Sequence, residues 1–225
     1  MKRFAAAALA CLMFASLFAG CGSKPASSAG GENSAAVTEP TPSPTPEPDP
    51  YSPNPLTGLE KDESYPEGQR ITAIMVNNIV GCRPQRGLSD AKVLYEIKVE
   101  GGITRFMALY DDYNSIPTVG PIRSARDQFF RMVLPFQPLY VHIGESSVQK
   151  QYIADYDYSE WNLDDNKDSN LFWRDQNRLN QGYPLEHTAY TSGERIAATV
   201  SNKGIDDRRS YNSAIFDFVP YDESA

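Results

Sequence analysis

KVLYEIKVEGGITRFMALY, residues 92–110, sets two alternating runs on either side of Gly101-Gly102, and its reading decides the fold. Alternation over such a length marks strands, and a glycine pair between two of them marks a hairpin. With Gly101 and Gly102 as a two-residue loop, Glu100 pairs with Ile103 and the register follows. Val93, Tyr95, Ile97 and Val99 then share a core face with Thr104, Phe106, Ala108 and Tyr110. The other face carries Leu94, Glu96, Lys98, Glu100, Ile103, Arg105, Met107 and Leu109, with Lys98 directly across from Arg105. Like charges so placed repel unless Glu96 and Glu100 compensate or an anion covers them.

Before the hairpin, Arg70-ITAIMVNN reads as a buried strand, β-branched and apolar. After it, RSARDQFFRMVL places Phe129/Val133 and Phe130/Leu134 four residues apart, as a helix does, with Ser124 as cap, Asp127 as capping partner and Pro135 past the end. Leu139 to Ile143 reads as a short strand, Ser146 to Ile153 as a helix, and Asp155 to Asp175 as an acidic, aromatic, irregular segment. A strand near His187 to Tyr190 leads into a helix from Gly193 to Asn202. Strands and helices mix without strict alternation, which predicts an α+β fold.

The ends of the chain are of another kind. Residues 1–20 read as a signal peptide: Lys2 and Arg3, then an uncharged apolar run from Phe4 to Phe18, too short to span a membrane. Leu17-Phe18-Ala19-Gly20-Cys21 resembles a lipobox, so Cys21 is the expected lipidation site and anchors the chain on the outer face of the cytoplasmic membrane. Residues 21–50 have one Val as their only sizeable apolar residue and close with TPSPTPEPDP, a disordered tether reaching at most on the order of 100 Å. Residues 51–225 make one domain. The formal charge is −8 for the whole chain and becomes more negative once Lys2 and Arg3 are removed, which argues against nucleic acid as a partner. Cys11 leaves with the signal and Cys21 is acylated, so Cys82 has no disulfide partner.

Several residue sets invite a chemical reading. Arg83, Arg86, Arg105, Arg123 and Arg126, with Ser124 opening a helix, are the leading ligand-binding candidates, because guanidinium forks and helical N–H groups take carboxylate or phosphate. Between Arg83 and Arg131 there are eight Lys or Arg against six Asp or Glu, a basic stretch in an acidic chain. The same arginines could instead pair internally with Glu96, Glu100 and Asp127. Glu96, Glu100, His142 and Ser146 are weaker catalytic candidates; two pleats separate Glu96 from Glu100 by roughly 13 Å, wide for an acid and base pair. Cys82 with His142 carries no spacing signal. Asp164, Asn166, Asp168 and Asp175 fall at calcium-loop positions, but Ser169 stands where the loop needs glycine. No cofactor is implied.

Arg83-Pro84-Gln85, Tyr95-Glu96, Val99-Glu100-Gly101-Gly102-Ile103-Thr104-Arg105, Val119-Gly120-Pro121-Ile122-Arg123-Ser124-Ala125-Arg126 and His142-Ile143-Gly144 together resemble the YerB-like family of bacterial lipoproteins. Arg174-Asp175 and the His187 to Ser192 segment extend the resemblance over about residues 54–199. It implies layered mixed β-sheets with packed helices, usually followed by a smaller C-terminal domain that this chain would lack, and a domain without assigned function. Arg86 departs from the small residue usual in the family, and Leu185-Glu186-His187-Thr188 from its Pro-His-Asn pattern. The expectation is therefore a membrane-anchored, extracytoplasmic protein that binds an anionic cell-wall polymer or an envelope protein through its arginines. The alternative is a cell-wall hydrolase or transferase using Glu96, Glu100 or His142.

Overall fold

A computed structural model describes residues 53–211 and 214–218; the signal, Cys21 and tether lie outside the described residues. The elements run β1 (Thr72–Asn77), β2 (Val93–Lys98), β3 (Thr104–Tyr110), α1 (Asp127–Val133), β4 (Leu139–Val141), α2 (Ser147–Asp155), β5 (Asn162–Leu163), β6 (Trp173–Arg174), α3 (Gln176–Asn180), β7 (Ala189–Tyr190) and α4 (Gly193–Lys203). The main sheet has the order β2-β3-β1-β4-β5, and β6 with β7 makes a second, small one. β1 is antiparallel to β3 and parallel to β4, which is parallel to β5. The architecture is α+β, as expected.

Layering explains the composition of β1. All six of its residues are buried, because it sits mid-sheet with both faces covered, and such strands read as unbroken apolar runs. Ala73, Met75, Met107, Leu109 and Tyr140 pack with Phe129, Phe130 and Val133 of α1 and Ile153 of α2. Ile74, Val76, Ala108, Val141 and Leu163 pack on the other side with Ala189 of β7 and Ile196 and Val200 of α4. Each such large side chain stabilises the fold by about 1.5–3 kcal/mol relative to exposure.

The hairpin corrects the register expected above. Its loop has three residues, Glu100 to Gly102, closed by the Val99 N–H donating to the Ile103 carbonyl at 2.8 Å, and Gly101 and Gly102 both take positive φ. Lys98 therefore faces Thr104, and Ile97 faces Arg105. A one-residue slip moves a whole strand's side chains to the other face. Arg105 thus lies with Met107 and Leu109 under α1, and Phe106 and Tyr110 turn to the opposite layer. Alternation could not detect this, since β3 is covered on both faces and nearly every position in it is apolar.

Helices α1 and α2 start in different ways. Ser146 caps α2, its Oγ accepting from the Gln149 N–H at 3.1 Å. Ser124 does not cap α1, which begins at Asp127 after an extended Arg126 that makes no side-chain cap bond. Residues 119–125 instead run as a seam between layers. Asn77 N–H donates to the Pro121 carbonyl, Arg123 N–H to Met75, Ile122 N–H to Ala189 and Ala125 N–H to Gly144. Gly120 makes this possible: a Cβ there would meet the Ala189 carbonyl at 2.7 Å.

Candidate functional site

Parallel β1, β4 and β5 end on the same side of the sheet, and β3 begins there, since Asn77 pairs with Arg105. Crevices beyond the carboxyl ends of parallel strands are where ligands commonly sit. Here the seam residues Arg123 and Ser124, Gly144 after β4, Asp165 after β5, Arg174 of β6 and Glu186 line a cleft of about 300 Å³, with Ile122, Ile143 and Leu185 as its apolar surface.

Three of the candidate arginines converge behind this cleft. Arg105 is buried, and its Nη1 donates to the Ser124 carbonyl at 2.5 Å. Arg126 Nε donates to Glu100 Oε1 at 2.5 Å, and Arg105 Nη2 lies 3.9 Å from the other oxygen of the same carboxylate. Arg123 has a buried Nε without a hydrogen-bond partner. Burial first, and then the charges of Arg126 and Arg123, push the Arg105 guanidinium down to about 10, still charged at neutral pH. The Arg126 hydrogen bond holds the Glu100 carboxyl below its usual range. Arg83 turns to Asn78 Oδ1 at 3.3 Å, while Arg86 pairs with Asp175 at 3.2 Å and lies over the Tyr190 ring. Some of the arginines thus pair internally, Arg86 with Asp175 and Arg126 with Glu100, whereas Arg123 makes no ion pair among the described residues. Asp127 pairs with Arg131.

The weaker catalytic candidates are all engaged in bonds that shape the fold. Glu96 accepts from Asn78 Nδ2 at 2.9 Å and Thr104 Oγ1 at 2.6 Å. His142 is fully buried between the Gly144 carbonyl at 3.0 Å and Asn162 Oδ1 at 2.7 Å, and burial lowers its basicity. Ser146 spends its oxygen on the α2 cap. Cys82 is buried, its Sγ 3.4 Å from the Asn77 carbonyl, and burial pushes its thiol up.

The calcium-loop positions are engaged in local bonds, Asn166 Nδ2 donating to Asp164 Oδ2 at 3.3 Å. Asp164 accepts from the Asn166 and Lys167 N–H groups, Asp168 from Asn170, and Asp175 caps α3 through Asn177 and Arg178. Among the described residues no group of three or more His, Cys, Asp or Glu is placed to hold a metal ion.

Sequence reasoning missed Arg178. It is buried, and its Nη1 donates to the Cys82 carbonyl at 2.6 Å and the His187 carbonyl at 3.1 Å, with Nη2 on the Pro84 carbonyl. It fastens the arginine loop to the segment carrying Glu186. Nothing in the polar run QNRLN distinguishes it. Asp165 and Glu186 were missed because the cleft gathers residues from five separate segments.

Residues 56–206 match the family model described as "Protein of unknown function (DUF3048) N-terminal domain". The chain is 37% identical over 178 residues to "Putative lipoprotein YerB" of Bacillus subtilis (strain 168), covering 76% of this chain and 50% of that one. It superposes on the crystal structure of the YerB protein from Bacillus subtilis with a TM-score of 0.63 and 33% identity, over 74% of this chain and 55% of that one. The chain therefore spans about half the length of these relatives.

Proposed function

The chain belongs to the DUF3048 family through its N-terminal domain, and on that premise we propose that it is a lipid-anchored protein of the outer face of the cytoplasmic membrane that binds an anionic component of the cell envelope, a wall polymer or a partner protein. The anchoring part is supported by Lys2, Arg3, the apolar run and Cys21, and by similarity to a relative named as a lipoprotein. The binding part rests on one observation: Arg105 and Arg126 share a single carboxylate, Glu100, while Arg123, near enough for its charge to act on Arg105, makes no ion pair among the described residues, on a chain of net charge −8. Uncompensated guanidinium in a partly buried setting attracts carboxylate or phosphate.

Glu96, Glu100, His142 and Ser146 each have a structural partner, so the binding reading uses fewer assumptions than the enzymatic one. Its test is a pull-down on isolated cell-wall material. Arg123→Ala, which removes no side-chain hydrogen bond among the described residues, is expected to lower binding about tenfold or more, the worth of one charge-assisted contact. Unchanged binding by a folded Arg123→Ala protein overturns the proposal.

A further inference from the structure

The cleft carries both signs of charge. Arg123 and Arg174 face it together with Asp165 and Glu186, and among the described residues none of the four makes an ion pair. Opposite charges confined to about 300 Å³ would be expected to close on one another. Two are tethered elsewhere. Arg174 Nη1 donates to the Leu185 carbonyl at 2.6 Å, and Asp165 Oδ1 accepts from the Gly144 N–H at 3.3 Å. Arg123 Nε is buried and unpartnered. Between the charges lie short aliphatic surfaces, Ile122, Ile143 and Leu185.

We propose that this cleft takes a peptide-like zwitterion: a carboxylate against Arg123 and Arg174, a primary ammonium against Asp165 and Glu186, and a small aliphatic body on the isoleucines. The inference rests on the anion-site reading above and adds the ammonium half and the peptide class. A sphere of that volume is roughly 8 Å across, enough for a dipeptide with both ends free. A ligand part without an ammonium would meet repulsion from Asp165 and Glu186, and one without an acid would meet it from the guanidiniums, so the mixed lining favours the zwitterionic part of an otherwise anionic component.

Calorimetric titration of the full chain with alanyl-alanine, its N-acetyl form, its C-terminal amide and phosphoethanolamine tests this. Alanyl-alanine is expected to bind about tenfold or more tighter than either blocked dipeptide. Arg123→Gln should abolish its binding, and Glu186→Gln, at an exposed position, should shrink the gap between the free and N-acetylated dipeptides to about threefold or less. An N-acetyl form that binds as tightly as the free dipeptide, or no binding of alanyl-alanine, overturns the zwitterion. Tighter binding of phosphoethanolamine overturns the peptide class. In each case a pull-down that still depends on Arg123 leaves the anion site standing, whereas a pull-down indifferent to Arg123 removes the reading beneath it.

Discussion

Arg178 holds three carbonyls that no other side chain among the described residues reaches. Cutting it to alanine leaves the buried Cys82 and His187 acceptors without that donor, and each orphan costs about 1–3 kcal/mol. Arg178→Ala is therefore expected to destabilise the domain by about 3 kcal/mol or more in urea unfolding, and Arg178→Lys should rescue little, because a point charge cannot serve the fork geometry. His142 gives a pH signature. Burial, the largest influence on it, depresses its folded pKa below the ordinary 6.5, so the unfolded chain takes up a proton first as pH falls. Its contribution to stability is complete above about pH 6.5 and is lost as pH drops from there toward the depressed folded value. His187 is shifted the same way, again by burial first. The unfolding midpoint should fall between about pH 7.5 and 5.5, and His142→Gln should flatten that fall; an equally steep profile in the variant would count against the assignment. Single-residue roles of this kind were the least legible in the sequence. His142 and Ser146, weaker catalytic candidates in the sequence, make the hydrogen bonds that a strand-end histidine and a capping serine ordinarily make.

Elements were more legible than their contacts. The strand around residues 72–77 was evident from its unbroken apolar run and the helix after Gly193 was placed as well, whereas the hairpin register was not, because β3 has no polar face to choose between. The glycines of α4 show how one substitution can mean two things. Gly193 opens the helix where a Cβ would lie 2.1 Å from the Tyr113 carbonyl, a clash with backbone that cannot relax without moving the helix. Gly204 ends it at φ +59 with nothing within 4 Å of the same atom. Gly204→Ala should thus cost only the left-handed backbone penalty, about 1 kcal/mol. Gly193→Ala should unseat α4 from the Tyr113–Ser115 turn and cost about 3 kcal/mol or more, as packing and backbone faults do. Thermal unfolding of the two variants side by side separates these mechanisms; comparable losses would contradict the close approach at Gly193.

At the scale of the whole molecule, composition spoke most clearly where folding has least to say. The charged start, the apolar run and the proline-alternating stretch are one-dimensional signals, readable without contacts, while the cleft exists only because the seam at residues 119–125 brings distant segments together. The proposed anchor is accordingly the property best tested on the intact chain. Acyl chains gain about 0.8 kcal/mol per buried CH₂, and one chain alone binds membranes only marginally, so stable attachment needs more than one at the same residue or a second signal. Nothing in the net charge of −8 supplies that second signal toward an anionic surface. Attachment should then depend wholly on Cys21. Cells expressing the chain and fed labelled palmitate should yield a labelled protein that partitions into detergent, and Cys21→Ser should lose the label. Cys82→Ser should keep it, because that thiol is buried in the folded domain. Label retained by Cys21→Ser, or lost by Cys82→Ser, would place the anchor elsewhere and remove the localisation on which the envelope ligand depends.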